Sequence, residues 1–110
     1  MPEISYEDFA KLEIKIGTIT AIEIVEDADK LLKLSVDVGE EAPRQIVSGI
    51  RTYFEDINSL VGKQCPFLTN LAPRTIRGLE SQGMILAVGT DEVFSLLTPE
   101  ASLPPGAKVR

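Results

Sequence analysis

The sequence has no histidine, no tryptophan and a single cysteine, Cys65, among its 110 residues. Without histidine there can be no imidazole general base, no serine–histidine–aspartate arrangement and no imidazole metal ligand. One cysteine cannot form an internal disulfide or build a zinc or iron–sulfur site, and it agrees with a reducing compartment. Neither of the two common glycine-rich phosphate loops is present. These absences favour a binding module without cofactor or metal over an enzyme.

Long apolar segments are also missing. No apolar run approaches the roughly 20 residues that a membrane helix requires. The first residues, Met1-Pro2-Glu3-Ile4, lack the basic and apolar regions of a signal peptide. We therefore expect a cytoplasmic protein with no membrane partner. The length of 110 residues, with 44% hydrophobic and 25% charged residues, is typical of one globular domain spanning residues 1–110.

Negative charge dominates the chain, but it is unevenly distributed. The formal net charge is −6. Residues 1–41 carry eleven acids and four bases, whereas residues 42–79 carry two acids and five bases. No acid occurs between Ile57 and Leu79. An acidic protein can still bind phosphate if its cations share one face, although chance clustering on a solvated surface would give the same pattern.

Alternating apolar and polar residues predict a chain made mainly of strands. Strand 12–24 should change face near Gly17, as a bulged first strand of a small barrel does. Pro66 lacks an N–H, so its strand should lie at an edge or be bulged there. The predicted elements are a capped helical turn at 5–10, strands at 12–24, 32–38 and 44–48, a helix at 53–60, strands at 63–69, 83–88 and 93–97, and an irregular tail.

The order of three strands, one short helix and two further strands is that of the OB-fold. This fold is a five-stranded Greek-key barrel that often binds nucleic acid or sugar. We therefore predict an all-β protein whose barrel core covers about 8–90, with a C-terminal extension over about 91–110. The extension is too rich in proline to add strands to a complete barrel, so we expect it to cover the barrel and pair with a second copy.

Two stretches resemble a known family. The first runs from Asp29-Lys30-Leu31-Leu32 through Asp37-Val38-Gly39 to Gln45-Ile46-Val47-Ser48-Gly49, and the second is the pattern N-x-x-P-R-x-x-R-G-x-x-S-x-G-M over residues 70–84. Both are similar to the tRNA-binding OB domain found at the C-terminus of bacterial methionyl-tRNA synthetases. The same domain occurs as an archaeal beta subunit, as a free-standing tRNA-binding protein and in EMAP-II-like proteins.

This resemblance implies a homodimeric OB barrel that binds tRNA by shape and has no catalytic activity of its own. There are departures from the family pattern. Val25-Glu26 replace a His-Pro pair of many members, and Ala72 and Thr75 stand where many members have lysine. The missing cations and the added Glu26 favour weaker RNA binding.

Loop 70–82 is the main candidate binding site. Arg74 and Arg77 offer planar forks to phosphate oxygens, while Asn70, Ser81 and Gln82 can both donate and accept hydrogen bonds to ribose and base edges. The alternative is an ordinary polar loop whose arginines pack on the barrel or pair with a distant acid. The predicted RNA-binding residues are Lys30, Lys33, Ser48, Arg51, Asn70, Arg74, Arg77, Ser81, Gln82 and Met84.

Several of these residues have a second interpretation. The resemblance places Met84 at the RNA surface, but Met84 could equally begin a buried strand. Ser48 either permits close backbone approach or simply ends its strand, and Arg44, a neighbour of Glu40 and Glu41, could equally be an ordinary surface residue. Asp27 and Asp29 are more simply solvated carboxylates than a metal site. With few aromatics available for stacking, the chain favours structured RNA over single-stranded DNA.

The preferred function is therefore non-catalytic tRNA binding as a homodimer, as a domain or subunit of a methionyl-tRNA synthetase. Two alternatives remain. One is a peptide-binding secretion chaperone of the same fold, and the other is a dimerisation module with negligible affinity for RNA.

Overall fold

The computed structural model describes all 110 residues. The sequence-predicted helical turn is confirmed at α1, Tyr6–Ala10, where the Ser5 hydroxyl accepts a hydrogen bond from the Asp8 N–H at 3.2 Å. The strands are β1 Ile14–Ile24, β2 Leu32–Asp37, β3 Arg44–Ser48, β4 Gln64–Leu68, β5 Arg74–Ile76, β6 Leu79–Ser81, β7 Met84–Ile85, β8 Ala87–Gly89 and β9 Phe94–Leu96.

Five antiparallel strands in the order β3-β2-β1-β4-β7 form a nearly closed barrel, which confirms the predicted all-β, OB-like fold. Strand β1 serves both halves: its residues 14–18 pair with β4 and its residues 18–24 pair with β2. The register shifts between Ile19 and Ala21, so the predicted bulge lies just beyond Gly17. Gly17 has a packing role, because a Cβ there would lie 2.6 Å from the Val36 Cγ1 atom.

The core fills the barrel with side chains from alternate strand positions. On β2 the buried residues Leu32, Leu34 and Val36 alternate with half-buried Lys33, Ser35 and Asp37, as their period of two predicts. The largest buried side chain is Phe67 of β4. The sulfur of Cys65 lies in the same cluster, and burial raises the pKa of its thiol to about 11. Cys65 is therefore a protonated, apolar packing group.

Pro66 lies inside the barrel wall without a bulge, so the predicted edge or bulge is wrong on the β1 side. It faces Ile16, whose N–H and C=O bond instead to Ala107 and Gly106 in the tail. An antiparallel pair of this kind exchanges no hydrogen bonds, so no donor is required of Pro66. On its other side, β7 pairs with Phe67 and Leu68, and the Pro66 carbonyl accepts a hydrogen bond from the Leu86 N–H at 3.0 Å, so the missing proline donor is not needed there either.

The segment between β3 and β4 contains two 3-10 helices, Arg51–Tyr53 and Ile57–Leu60, where one helix was predicted. Phe54 is extended, with φ −126° and ψ 128°, and it interrupts the helical path. Asp56 then caps the second turn by accepting a hydrogen bond from the Asn58 N–H at 3.0 Å. The apolar spacing still places Leu60 in the core, although the backbone is not α-helical.

The fifth predicted strand is divided into β7 and β8 and is not fully buried. Met84 is 38% exposed and Val88 is 50% exposed, because only alternate residues face the interior. Strand β8 leaves the barrel and pairs with β9 in a separate two-stranded sheet. The apolar residues of 83–88 therefore belong to two surfaces: some face the interior of the barrel, and others face outward.

The barrel closes between β3 and the chain before β7 through side chains rather than a full ladder. The Ser81 hydroxyl accepts from the Val47 N–H at 3.0 Å and donates to the Gly83 carbonyl at 3.1 Å. The Gln82 side-chain oxygen accepts from the Gln45 N–H at 3.0 Å, and the Gln82 N–H donates to the Gln45 carbonyl at 2.8 Å. These bonds form the β3 latch, defined by Gln45, Val47, Ser81 and Gln82.

The tail lies along the barrel of its own chain and adds no strand to the five-stranded sheet. Residues 106–109 run along the free edge of the first half of β1, where the Val109 N–H donates to the Ile14 carbonyl at 2.8 Å. The Gln64 side-chain amide donates to the Leu103 carbonyl and accepts from the Leu103 N–H. Gly39 and Gly106 meet so closely that a Cβ on either would lie 2.6 Å from a carbonyl oxygen.

We predict that Ser81→Ala lowers the free energy of unfolding by about 1–3 kcal/mol, because the buried Val47 N–H would lose its acceptor. Urea unfolding of the variant and the parent measures the difference. The control is Ser95→Ala, which removes an exposed hydroxyl from β9 and should stay within about ±0.5 kcal/mol. Equal, small effects of both substitutions would contradict the structural role of Ser81.

Acid should loosen the tail. Lys108 Nζ lies 2.7 Å from Glu13, and this hydrogen bond and charge lower the pKa of Glu13 below its usual 4.5. A carboxyl group with a lowered folded-state pKa stabilises the fold above its unfolded pKa and loses that contribution as pH falls through the folded value. The melting temperatures of parent and Glu13→Gln should therefore differ at pH 7 and converge as the solution is acidified. A difference that persists in acid would exclude this ion pair as its source.

Candidate nucleic-acid interface

The predicted loop 70–82 contains a projecting β-hairpin. Strands β5 and β6 pair Arg74 with Ser81 and Ile76 with Leu79. The two turn residues, Arg77 and Gly78, have φ values of 52° and 79°. Positive φ at both central positions is the geometry of tight hairpin turns that match strand twist. Glycine adopts a positive φ freely, but the same conformation costs energy for an arginine. The fold therefore keeps Arg77 at the tip although its backbone would prefer a negative φ.

The tip of the hairpin lies against the loop between β1 and β2. Together they line a cleft of about 450 Å³, which we call the hairpin cleft, formed by Asp27, Ala28, Asp29, Lys30, Leu31, Ile76 and Arg77. Asp27 has a φ of 59°, so the chain's two non-glycine residues with left-handed backbones both line this cleft. Backbone strain of this kind tends to concentrate at ligand sites.

A second cleft lies on the other side of the same loop and shares Asp29 with the hairpin cleft. Arg51, at the start of the first 3-10 helix, lines it together with Phe54 and Ile57. The Arg51 N–H donates to the Lys30 carbonyl at 3.1 Å, which ties this helix to the loop. Two of the predicted cations, Lys30 and Arg51, are therefore held at one end of the barrel.

The cations of the chain fall into two groups. Lys11, Lys33, Arg44 and Lys108 form ion pairs with acids of the same chain. The other seven of the eleven cations make no side-chain hydrogen bond or ion pair. Of these, Lys30, Arg51, Arg74 and Arg77 lie on the hairpin or line the two clefts, whereas Lys15, Lys63 and Arg110 lie elsewhere. Arg74 and Arg77 therefore pair with neither Glu80 nor Asp56. These four unpaired side chains are available to an external anion.

Asn70 joins the start of this loop to the N-terminal segment. Its side-chain oxygen accepts from the Glu13 N–H at 2.8 Å, and its amide nitrogen donates to the Lys11 carbonyl at 2.6 Å. Ser81 is 2% exposed and Gln82 is half-buried, and both belong to the β3 latch. These three polar residues hold the base of the hairpin through bonds within the chain.

The other predicted residues occupy different surroundings. Lys33 lies 3.0 Å from Glu23, its neighbour across the β1–β2 ladder. Ser48 ends β3 opposite Leu32 and is half-buried. Met84 begins β7 but is 38% exposed, so it is not the core methionine that one of its two interpretations required.

Arg44 has a structural function and is not the ordinary surface residue that the sequence also allowed. Its guanidinium makes two hydrogen bonds of 2.8 Å to Glu40 and also donates to the carbonyls of Thr69 and Gln82. This pairing lowers the pKa of Glu40 and raises that of Arg44. Arg44 thus fixes the end of β4 and the base of the hairpin relative to β3. Its position four residues after Glu40 was the only sequence signal for this contact.

An exposed apolar surface surrounds the β8–β9 sheet. The Tyr53 ring stacks on Phe94 with centroids 4.1 Å apart, while Tyr53 itself remains 58% exposed. Val88, Val93 and Leu97 are 41–64% exposed. We call these five residues the β8–β9 surface.

None of the helices in the structure combines the length and the apolar character that spanning a membrane requires.

Comparisons with known proteins agree with this geometry. A family model described as "Putative tRNA binding domain" matches residues 14–108. A methionine–tRNA ligase of Methanoregula boonei is 53% identical over 109 residues, which cover 99% of this chain but only 16% of the relative. The chain thus spans about a sixth of the length of that curated relative.

Two solved structures share the whole fold. A MetRS-related protein from Pyrococcus horikoshii has a TM-score of 0.91 and 34% identity, with full coverage of both chains. The chaperone CsaA from Bacillus anthracis has a TM-score of 0.86 and 29% identity, covering 99% of this chain and 100% of that one. The barrel, the hairpin and the family match together show that this chain belongs to the tRNA-binding domain family and is homologous to the C-terminal regions of methionine–tRNA ligases.

Proposed function

We propose that this chain binds tRNA without catalysis through the exposed cations around the hairpin cleft. The observation that carries the proposal is the placement of four of the seven unpaired cations around the hairpin and its two adjoining clefts. Lys30 and Arg77 line one cleft, Arg51 lines the adjoining cleft, and Arg74 stands on the hairpin itself. Unpaired arginines are well suited to phosphate oxygens, because their planar forks donate two hydrogen bonds at once.

The net charge of −6 does not oppose this function, because the position of the charges matters more than their sum. Glu13, Glu23 and Glu40 each lie against a cation that is not part of the proposed interface. Asp27 and Asp29 line the hairpin cleft and would weaken its attraction for phosphate. We therefore expect moderate affinity that falls as salt concentration rises.

Moderate affinity suits a domain that acts beside a catalytic body. The domain would serve as a C-terminal region or subunit of a cytoplasmic methionyl-tRNA synthetase. Tethering it to the synthetase would raise the effective concentration of tRNA near the catalytic site without any change in that site. The reaction itself would belong to the remainder of the synthetase.

We also propose that two copies associate through the β8–β9 surface. Val88, Val93 and Leu97 are exposed around an aromatic pair in which Tyr53 covers Phe94. The Phe54 ring meets Phe94 edge-on at 5.9 Å, so the aromatic cluster is fixed before association. A second copy covering this surface would remove exposed apolar area and would bring two hairpins into one particle.

The likeness to CsaA supports a second candidate, a chaperone that binds peptides. Titrations of the chain with folded tRNA and with an unfolded peptide separate the two functions. The tRNA proposal requires salt-dependent binding of tRNA that is tighter than binding of single-stranded DNA of equal length. Binding of the peptide alone, or tRNA binding without salt dependence, would favour the chaperone.

We predict that Arg77→Asn weakens tRNA binding while it preserves or raises stability. Asparagine tolerates a positive φ better than arginine, so the turn persists without the cation. Loss of one phosphate contact should reduce the slope of log affinity against log salt by about 0.7–1. The control is Arg110→Asn, which removes an equal charge beyond the tail that pairs with the start of β1. A destabilised Arg77→Asn protein with an unchanged salt slope would identify Arg77 as a structural residue.

The dimer is tested by Val93→Glu, because Val93 is 64% exposed and its substitution leaves the core unchanged. Sedimentation should show a dimer for the parent and a monomer for the variant. Leu12→Glu, placed before β1, is the matched control and should sediment like the parent. Removing the tail is a poorer test, since the tail also covers the edge of β1. A dimer that persists in Val93→Glu would exclude this surface.

A further inference from the structure

We propose that the hairpin cleft holds one unpaired guanine base of the bound RNA, with Asp27 and Asp29 reading its hydrogen-bond donors. This inference rests on the proposed RNA-binding function and extends it from phosphate contacts to base recognition. The starting point is the mixed character of the cleft. It contains two carboxylates and two cations, and none of these four side chains has a partner within the chain.

Carboxylates are unexpected in a site that binds only phosphates. Each negative charge beside Lys30 or Arg77 repels the anion that those cations attract. Elsewhere in the chain, acids form direct ion pairs with nearby cations, as Glu23 and Glu40 do. Asp27 and Asp29 do not, although they share the cleft with two cations. Their free oxygens are suited to a ligand that carries adjacent N–H donors.

The floor of the cleft suits a flat ring. Ala28 is buried, and Leu31 and Ile76 are half-buried, so their side chains offer apolar contact beneath the charged rim. A base that leaves its helix can pack on such a floor and present its Watson–Crick edge to side chains. Lys30 and Arg77 at the rim would then contact the phosphates on either side of that nucleotide.

Among the four bases, guanine matches a carboxylate best. Its Watson–Crick edge carries the N1–H and N2–H₂ groups side by side, and one carboxylate can accept from both, as it does from an arginine fork. Adenine and cytosine each place an acceptor beside their amino group. Uracil has one N–H between two carbonyl oxygens, and these oxygens would face the carboxylate with like charge. The cleft should therefore discriminate between bases while the surrounding cations do not.

The test uses the full chain and four fluorescently labelled RNA tetramers measured by anisotropy. UUGU should bind about tenfold or more tightly than UUAU, as one bidentate base contact provides. Inosine in place of guanosine removes the 2-amino group and should lose most of that preference. A 7-deazaguanine tetramer changes only the opposite edge and should bind like UUGU.

Asp27→Asn combined with Asp29→Asn gives the decisive comparison. The left-handed backbone at residue 27 accommodates asparagine, so the fold should persist, as circular dichroism will verify. We expect the double variant to lose the preference for guanine while its affinity for UUAU is unchanged or higher. Asp91→Asn changes an exposed acid outside the cleft and should retain the preference.

Two results would overturn the inference. One is equal binding of the guanine and adenine tetramers by the parent chain. The other is a double variant that binds every tetramer more tightly by the same factor, since the carboxylates would then act only by repulsion. In either case, tRNA binding that still depends on Arg77 would leave the proposed function intact. If the parent chain does not bind tRNA at all, the proposed function itself is refuted.

Discussion

Two backbone N–H groups on the outer edge of β3 determine how this barrel closes. The donors of Gln45 and Val47 point away from β2 and have no complete strand to receive them. An unpaired buried N–H is costly, so the chain supplies acceptors from the side chains of Gln82 and Ser81. These same two residues end the projecting hairpin. The same hydrogen bonds therefore close the barrel and fix the orientation of the hairpin.

This coupling explains why different residues of the motif over 70–84 have different roles. Ser81 and Gly83 work inside the protein: the Ser81 hydroxyl is buried, and a Cβ at Gly83 would lie 2.9 Å from the Leu68 carbonyl oxygen. Arg74 and Arg77, by contrast, lie on the hairpin without partners. The hydrogen-bonded base fixes the direction of the hairpin, so that Arg74 is exposed opposite Ser81 and Arg77 is exposed at the tip.

The sequence predicted the strands well where one face is buried. In β2 the apolar period of two left no alternative register, and both β2 and β3 begin and end within a residue of the expected positions. Prediction failed where the chain departs from regular structure. The extended backbone at Phe54 divided the expected helix, and the pairing of β8 with β9 divided the expected fifth strand. Such breaks depend on tertiary contacts that apolar spacing does not encode.

Candidate site residues were harder to predict than strands for a chemical reason. A serine or glutamine that can bind ribose can equally bind a backbone N–H, and composition does not distinguish the two. Ser81 and Gln82 appeared equivalent to Arg74 and Arg77 in sequence, yet the structure gives the first pair internal partners. In the hairpin cleft, Arg77 comes from a segment about 50 residues after Asp27 and Asp29, so no local pattern placed it beside these acids.

The pairing of the tail with β1 has a consequence for the order in which the barrel forms. Residues 106–109 form hydrogen bonds with Ile14 and Ile16 of β1, which lie some 90 residues earlier in the chain. Contacts this distant in sequence form slowly, because a long loop must close before they stabilise anything. During synthesis, one edge of the first half of β1 therefore stays unpaired until almost the whole domain has been made. The close contact between Gly39 and Gly106 likewise forms only after the tail has been made.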